Sequence, residues 1–359
     1  MSPRRILCTV AMVLLSAAPV YADGPRGRVR TYYIAAENVE WNYAPDPQPI
    51  VPPEDPEYRS PIQLTTWVKA VYHEYTDSTF QTRKPQPPEW QHLGMLGPLI
   101  RAEVGDTVKV IFKNNTRDFC TMHPHGLSYD KLSEGANYKD GLAPEQKKGD
   151  GVRPGECFTY TWTAPESAGP GPHDPSSILW MYHSHFRETR DINAGLFGPI
   201  IVIRKGYAKP DGAPKDVDRE FVVAFAVYDE RESAYFKDNL VRRGKTPSTL
   251  MNDANFHQSV MFYTMNGFSY GNLSMLTMKK GERVRWYLMS SSNGEDVHSP
   301  HWHGQTVISN MMRTDTLSLG PMGMTVADMI PSSVGTWLFH CHVNDHMDRG
   351  MVARFTVTP

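Results

Sequence analysis

The two halves of the chain carry the same series of short motifs in the same order, and this internal repeat restricts the possible folds. The first copy contains EVGD at 103–106, HPHG at 123–126, WMYHSH at 180–185 and GLFGPIIV at 195–202. The second copy contains KGE at 280–282, HSPHWHG at 298–304, WLFHCH at 337–342 and GMVARFTV at 350–357. A repeat of this length predicts two domains that share one architecture.

The runs between these motifs are typical of β-strands. They are apolar or β-branched and are separated by Gly, Pro and Asn clusters, whereas periodic helical patterns are scarce. The predicted strands are Thr107–Phe112, Cys157–Trp162, Gly198–Ile203, Phe221–Val227, Arg283–Leu288, Trp337–Phe339 and Val352–Val357. We therefore predict an all-β chain of two β-sandwich domains, at 23–204 and 219–359, joined by a polar, Pro/Gly-rich linker at 205–218.

The first 22 residues have the pattern of a signal peptide. Arg4 and Arg5 precede an apolar run, Ile6–Ala18, and small residues at 20 and 22 suit a cleavage site. The run is too short to cross a bilayer, and no other run approaches 18 apolar residues, so we expect an exported protein, periplasmic or secreted, without a membrane span. The net charge of −2 gives no basic surface for nucleic acid.

The cysteine count is informative in an oxidising compartment. Cys8 would leave with the signal peptide, which leaves Cys120, Cys157 and Cys341. An odd number is explained most simply by one disulfide and one metal ligand. Because Cys120 and Cys157 lie in one strand-rich region, they are the predicted pair, and two free thiols are the alternative.

Ten of the 14 histidines fall into four short clusters, which indicates shared metal sites. The clusters are His123/His125, His183/His185, His298/His301/His303 and His340/His342/His346. In a strand, residues i and i+2 point to one face, so each H-x-H pair directs two imidazoles the same way. In H-C-H, Cys341 points to the opposite face, and one strand would serve two metal sites.

The residues on the Cys341 face predict a mononuclear copper site. A thiolate, two imidazoles and a distant thioether form the blue-copper arrangement, whereas zinc rarely uses Met. The predicted ligands are Cys341, His298, His346 and Met351. The opposite face collects eight imidazoles, enough for about three metal ions at two or three ligands each.

At this point the motifs resemble those of the multicopper oxidases, most closely the ceruloplasmin-like and two-domain ("small laccase") members. YYIAAENVEW at 32–41, GPLIRAEVGD at 97–106 and RTDT at 313–316 are similar to ceruloplasmin-like sequences. The resemblance implies cupredoxin-like Greek-key domains and about four coppers per chain. It assigns His298, Cys341, His346 and Met351 to type 1 copper, His123 and His301 to type 2 copper, and His125, His183, His185, His303, His340 and His342 to the type 3 pair. Ser184 stands where the second domain has Cys341, so type 1 copper is expected only in the second domain.

The resemblance also implies an activity, the reduction of O2 to water with electrons from a small reducing substrate. Electrons would pass from Cys341 to His340 and His342, and Tyr129, Asp130 or Asp296 would relay protons. Phenols or aromatic amines are the first choice of donor. The alternatives are a ferroxidase or cuprous oxidase, then a non-catalytic copper carrier, then a copper nitrite reductase. Two-domain relatives form head-to-tail trimers, so we expect a homotrimer with clusters shared between subunits.

This sequence has only some of the residues that the resemblance to ferroxidases would lead one to expect at a site for metal-ion donors. Asp345 lies beside His346, and Glu295 and Asp296 come shortly before His298. Gly294 stands where the resembling ferroxidases have an acid, and Tyr263 stands where they have a histidine.

Overall fold

The computed structural model describes residues 27–54, 64–243, 259–274, 276–291 and 296–359. The predicted signal peptide and Glu295 lie outside these residues. The strands are β1 (Val29–Asn42), β2 (Thr66–Tyr75), β3 (Ile100–Glu103), β4 (Thr107–Asn115), β5 (His123–Pro124), β6 (Ser128–Tyr129), β7 (Cys157–Thr163), β8 (Ser177–His183), β9 (Phe197–Ile203), β10 (Arg219–Asp229), β11 (Met261–Met265), β12 (Leu276–Lys279), β13 (Val284–Ser290), β14 (Pro300–Trp302), β15 (Val307–Ser309), β16 (Met312–Thr314), β17 (Met324–Met329), β18 (Gly335–Cys341) and β19 (Val352–Thr358). The described residues also form the short α-helices α1 (Glu188–Ala194), α2 (Phe236–Arg242) and α3 (Asn344–Asp348).

The strands form four sheets, two in each half of the chain. Sheet I has the order β2-β1-β4-β7-β6, and sheet II has the order β3-β9-β8-β5. Sheet III has the order β11-β10-β13-β17-β15-β16, and sheet IV has the order β12-β19-β18-β14. The chain is thus mostly β, as the sequence predicts, with two sandwiches of the cupredoxin type.

Three apolar cores lie between these sheets and fix their stacking order. Tyr72 and Trp162 belong to the core between sheets I and II, and Trp286 and Phe355 to the core between sheets III and IV. The middle core packs Leu179 and Met181 of β8 together with strands of sheet III. The sheets therefore stack in the order I, II, III, IV, and the two sandwiches pack through sheets II and III.

The segment between the two sandwiches forms turns and one isolated bridge, Ala208–Pro214, between the end of β9 and the start of β10. Across the described residues, no helix has the length and apolar character needed to span a bilayer.

The predicted disulfide between Cys120 and Cys157 is wrong. Both residues are free thiols, and they lie in different environments. Cys120 is buried in the core of the first sandwich, whereas Cys157 is exposed at the start of β7. The burial of β7 residues alternates, and Cys157 falls on the solvent side of the strand, which carries its thiol away from the core. The alternative of two free thiols describes this region.

Candidate metal centres

A buried thiolate centre lies inside the second sandwich. Cys341 ends β18, His346 lies on α3, and His298 pairs with Leu319 in an isolated bridge. The Cys341 Sγ lies 3.6 Å from His346 Nδ1 and 4.0 Å from His298 Nδ1. Met351 is fully buried in the same core as Cys341. Its amide donates to the His346 carbonyl, and its carbonyl accepts from the Cys341 amide. All four predicted ligands of this centre are brought together.

The protonation chemistry of the thiolate centre suits a soft metal ion. Burial lowers the pKa of His298 to about 3, so its imidazole is neutral and can coordinate. Burial also raises the pKa of the Cys341 thiol, which means that a thiolate there needs a bound cation. Among the described residues, the Nε2 atom of His298 is buried and has no hydrogen-bond partner. The Ser299 amide donates to Cys341 Sγ over 3.3 Å, a contact that stabilises the anion.

Four imidazoles of the first sandwich form one cluster, here called the first half-set: His123, His125, His183 and His185. His125 Nε2 and His183 Nε2 lie 3.0 Å apart. The Nδ1 atoms of His123 and His183 donate to the carbonyls of Glu134 and Ser184, at 2.8 and 3.1 Å. These bonds fix the tautomer and leave the Nε2 atoms as ligands.

The second sandwich repeats this arrangement in the second half-set: His301, His303, His340 and His342. His303 Nε2 and His340 Nε2 lie 3.1 Å apart. The Nδ1 atoms of His301 and His340 donate to the carbonyls of Asp315 and Cys341, at 2.9 and 2.8 Å. The internal repeat of the sequence thus produces two similar imidazole clusters. In each of them, two Nδ1 atoms donate to backbone carbonyls and two Nε2 atoms face one another.

Burial keeps the most enclosed imidazoles of the two half-sets in the neutral form that binds metal. It lowers the pKa of His125 to about 4, that of His183 to about 3 and that of His340 to about 4. In each half-set two neutral imidazoles have their Nε2 atoms facing one another. The lone pairs on these atoms repel unless a cation or a proton lies between them. This donor set fits copper, and the structure groups His123, His125 and His183, and separately His301, His303 and His340, as sets able to hold a metal ion.

The two half-sets lie at different levels of the stack, the first on the side of sheet II that faces sheet III and the second on the outer face of sheet IV. Phe339 and Cys341 point into the core between sheets III and IV, so His340 and His342 lie on the outer face of sheet IV. Leu179 and Met181 point toward sheet III, and alternation along β8 places His183 on that same face of sheet II. With sheets packed about 10 Å apart, the half-sets are separated by roughly 20 Å along the stacking direction. Within the described part of the chain, the ring contacts between these histidines all lie inside one half-set or the other.

The remaining candidate residues differ in their surroundings. The Tyr129 ring lies 5.9 Å from the His123 ring and is 37% exposed. Asp130 accepts a hydrogen bond from the Ser133 amide and caps a short 3-10 turn. Asp296 and Asp345 both act electrostatically on His346.

Two charged residues at the centres are absent from the predicted site. The Glu188 carboxylate lies 3.5 Å from His185 Nε2 and 4.0 Å from His183 Nε2. Glu188 follows His185 by three residues, at the start of α1, and this spacing is the sequence signal that indicates a contact between them. Arg349 Nε lies 3.0 Å from Asp345 Oδ1, and the i,i+4 spacing of the two residues is the sequence signal that indicates this ion pair.

Comparisons with known proteins match this chain to one family. Multicopper oxidase family models match residues 74–206 and 242–359. Hephaestin of Mus musculus is 36% identical over 366 residues, which cover 97% of this chain and 30% of hephaestin. Ceruloplasmin of Homo sapiens is 40% identical over 352 residues, and "Ferroxidase HEPHL1" of Homo sapiens is 38% identical over 340 residues. These matches cover 93% and 91% of this chain, and 33% and 29% of the relatives. The chain thus spans about a third of the length of the curated relatives it matches.

Solved structures support the fold. A crystal structure of a multicopper oxidase has a TM-score of 0.58 and 20% identity, over 92% of this chain and 89% of that one. A blue copper oxidase from Nitrosomonas europaea has a TM-score of 0.55 and 19% identity, over 92% and 86%. The two family models, the relatives and these folds agree, and the chain belongs to the multicopper oxidase family.

Proposed function

We propose that the protein is a copper-dependent oxidase that couples one-electron oxidation of small aromatic donors, phenols or aromatic amines, to the reduction of O2. One observation carries this proposal: the alternation of β18 places Cys341 in the thiolate centre and its neighbour His340 in the second half-set. Copper, when bound, supplies the one-electron acceptor and the centre at which O2 is reduced. Four donor molecules each lose one electron, and O2 takes up four electrons and four protons to give two molecules of water.

The chain's own residues connect and shield these centres. The peptide bond between His340 and Cys341 gives a covalent path between them, and the His340 Nδ1 donates to the Cys341 carbonyl within that path. Burial of Cys341 and Met351 excludes water from the thiolate centre. Tyr129, at the edge of the first half-set, is the group we propose to deliver protons from solvent.

The proposed donor site lies at His346. This imidazole is 7% exposed, and its ring lies 5.1 Å from that of Tyr263, a surface that suits an electron-rich ring. Metal-ion oxidation is the second candidate, because relatives of this chain carry the name ferroxidase. Asp296, which acts electrostatically on His346, favours that candidate.

The test is oxygen uptake by the copper-loaded protein with a phenol, Fe(II) and Cu(I) in parallel. We expect turnover with all the donors that reach His346, with the highest kcat/KM for the phenol, and one O2 consumed for every four electrons. If kcat/KM is highest for Fe(II) or Cu(I), the proposal of an aromatic donor is wrong and the donor is a metal ion. Copper binding without any oxygen uptake would instead identify a copper carrier.

We also propose that two subunits complete each cluster, in a homotrimer. The separation of roughly 20 Å between the half-sets supports this, since two imidazole clusters so far apart cannot enclose the same ions. A head-to-tail contact would place the first half-set of one subunit against the second half-set of the next, and such contacts can close a ring.

Export of the chain stays a prediction, and N-terminal sequencing of the mature protein tests it.

A further inference from the structure

Arg349 occupies an unusual position beside the thiolate centre. It lies between the predicted ligands His346 and Met351 in the sequence, and its side chain is 16% exposed. Its Nε donates to Asp345 Oδ1 over 3.0 Å, whereas the Asp345 side chain is 47% exposed. A mostly buried cation is therefore held against an accessible carboxylate.

A second contact ties Arg349 to the proposed electron-entry surface. Its guanidinium lies 5.0 Å from the centre of the Tyr263 ring, within the range of a cation–π interaction. The Tyr263 ring in turn lies 5.1 Å from the His346 ring. The ion pair and the ring contact together hold the guanidinium at the edge of the surface through which a donor reaches His346.

These contacts change the electrostatics of that surface. Among the described residues, Asp296 and Asp345 are acids that act on His346, and Arg349 acts on it with the opposite sign. With Arg349 in place, the charge of the Asp345 carboxylate is already paired with a cation of the same chain, and that cation is mostly buried. Arg349 therefore competes with a divalent cation for the carboxylate of Asp345.

We propose that Arg349 is a specificity-determining residue that masks Asp345 and so disfavours cationic donors relative to neutral or anionic aromatic ones. The inference rests on the proposed function and concerns its donor site. Arg349 acts through Asp345 and Tyr263, and it takes no part in the electron transfer itself.

The test compares Arg349→Gln, Asp345→Asn and the double variant in the copper-loaded protein. We expect Arg349→Gln to raise kcat/KM for Fe(II) relative to a neutral phenol by roughly tenfold, the scale of electrostatic steering at a charged site. The gain should vanish in the double variant, which lacks the carboxylate, and at high ionic strength, which screens its charge. Equal changes for both donors would overturn the proposal, since a merely structural Arg349 would affect them alike.

A binding measurement separates this inference from the proposed function. Mn²⁺ is titrated into the same copper-loaded variants, and free Mn²⁺ is followed by electron paramagnetic resonance. We expect Arg349→Gln to bind Mn²⁺ roughly tenfold more tightly than the wild type, and the double variant to lose the gain. This result would support the masking of Asp345 even if no donor were oxidised, and unchanged Mn²⁺ affinity would overturn it. Arg242→Gln, which removes the Arg242–Glu40 pair (3.1 Å) elsewhere on the surface, is the matched control.

Discussion

Neighbouring residues of β18 serve two chemically different centres, and this follows from strand geometry alone. Cys341 points into a core that contains Phe339 and Trp302, whereas His340 and His342 lie on the outer face. The two centres can therefore be changed independently by single substitutions at adjacent positions.

We expect Cys341→Ser to abolish the intense visible absorption of a copper–thiolate bond. Copper content should fall from about four to about three per chain, because the histidine clusters keep their own ligands. The measurement is an absorption spectrum with metal analysis, and Met278→Leu in the same core is the control for packing. Retained blue colour would show that another residue supplies the thiolate.

Some residues of the centres can be predicted from sequence and others cannot. Spacing alone brings His123 with His125 and His340 with His342, since alternation in a strand is a local property. The placement of Glu188 and Arg349 depends on the side-chain directions of short helices, α1 and α3, which have no strong sequence pattern. The predicted Cys120–Cys157 pair is wrong because cysteine counting gives no information about which face of a strand a residue occupies.

At the scale of elements, the strands found from sequence are those with strong β-branched or alternating patterns. The predicted strand Cys157–Trp162 corresponds to β7, and Val352–Val357 corresponds to β19. The two strands β1 and β2 were not predicted as such, although they pair antiparallel over ten positions. β1 contains Ala35 and Ala36 next to charged and polar residues, so its burial comes from packing in sheet I and not from its own pattern.

A short 3-10 turn, Pro88–Leu93, connects the halves through a buried histidine. His92 Nε2 accepts from the Val222 amide of β10 over 3.1 Å, and its Nδ1 donates to the Glu89 carbonyl over 2.8 Å. Only the neutral imidazole can make both bonds. This histidine, which lies outside the four clusters, thus has a structural role.

The pKa of His92 gives a pH dependence with a definite sign. Burial lowers it from 6.5 to about 4, so the unfolded chain binds this proton at a higher pH than the folded chain. Its contribution to the free energy of unfolding is full above pH 6.5 and falls by on the order of 3 kcal/mol as the pH decreases to 4.

We therefore expect His92→Gln to destabilise the protein by about 1–3 kcal/mol at pH 7.5, because the Val222 amide loses its acceptor. The difference from the wild type should shrink at pH 5, where the wild type alone has begun to lose the histidine contribution. Urea unfolding at both pH values measures it, and His173→Gln, at an exposed histidine, is the control. A difference that is constant with pH would mean that His92 is accessible to protons in the folded chain.

At the scale of the whole molecule, a buried ion pair joins the two sandwiches. Lys69 of β2 and Glu230, which follows β10, are both fully buried, with Nζ and Oε1 2.5 Å apart. Tyr43 donates to the same oxygen over 2.6 Å, and Lys69 also donates to the Asn193 carbonyl. Such a pair stabilises little by itself, but either charge is costly without the other.

We expect Lys69→Met to lower the free energy of unfolding by about 3–5 kcal/mol, because Glu230 would remain buried without its cation. The double variant Lys69→Met/Glu230→Gln should recover much of that loss, since no buried charge then remains. Denaturant unfolding of the single and double variants measures the coupling. Additive losses would indicate that the two residues stabilise the junction independently.

The proposed assembly rests on where the stack of sheets places the two half-sets, and mixing two inactive chains tests it. His183→Ala disables the first half-set, and His303→Ala disables the second. If each cluster forms between subunits, a sound first half-set on the His303→Ala chain can meet a sound second half-set on the His183→Ala chain. Random mixing at equal amounts should then restore about one quarter of the clusters, whatever the size of the ring, because each interface draws its two halves independently. The chains are unfolded, mixed and refolded with copper, and oxygen uptake is compared with refolded wild type and with each variant refolded alone. Clusters closed within one chain would give no recovery, because every chain would keep one disabled half-set.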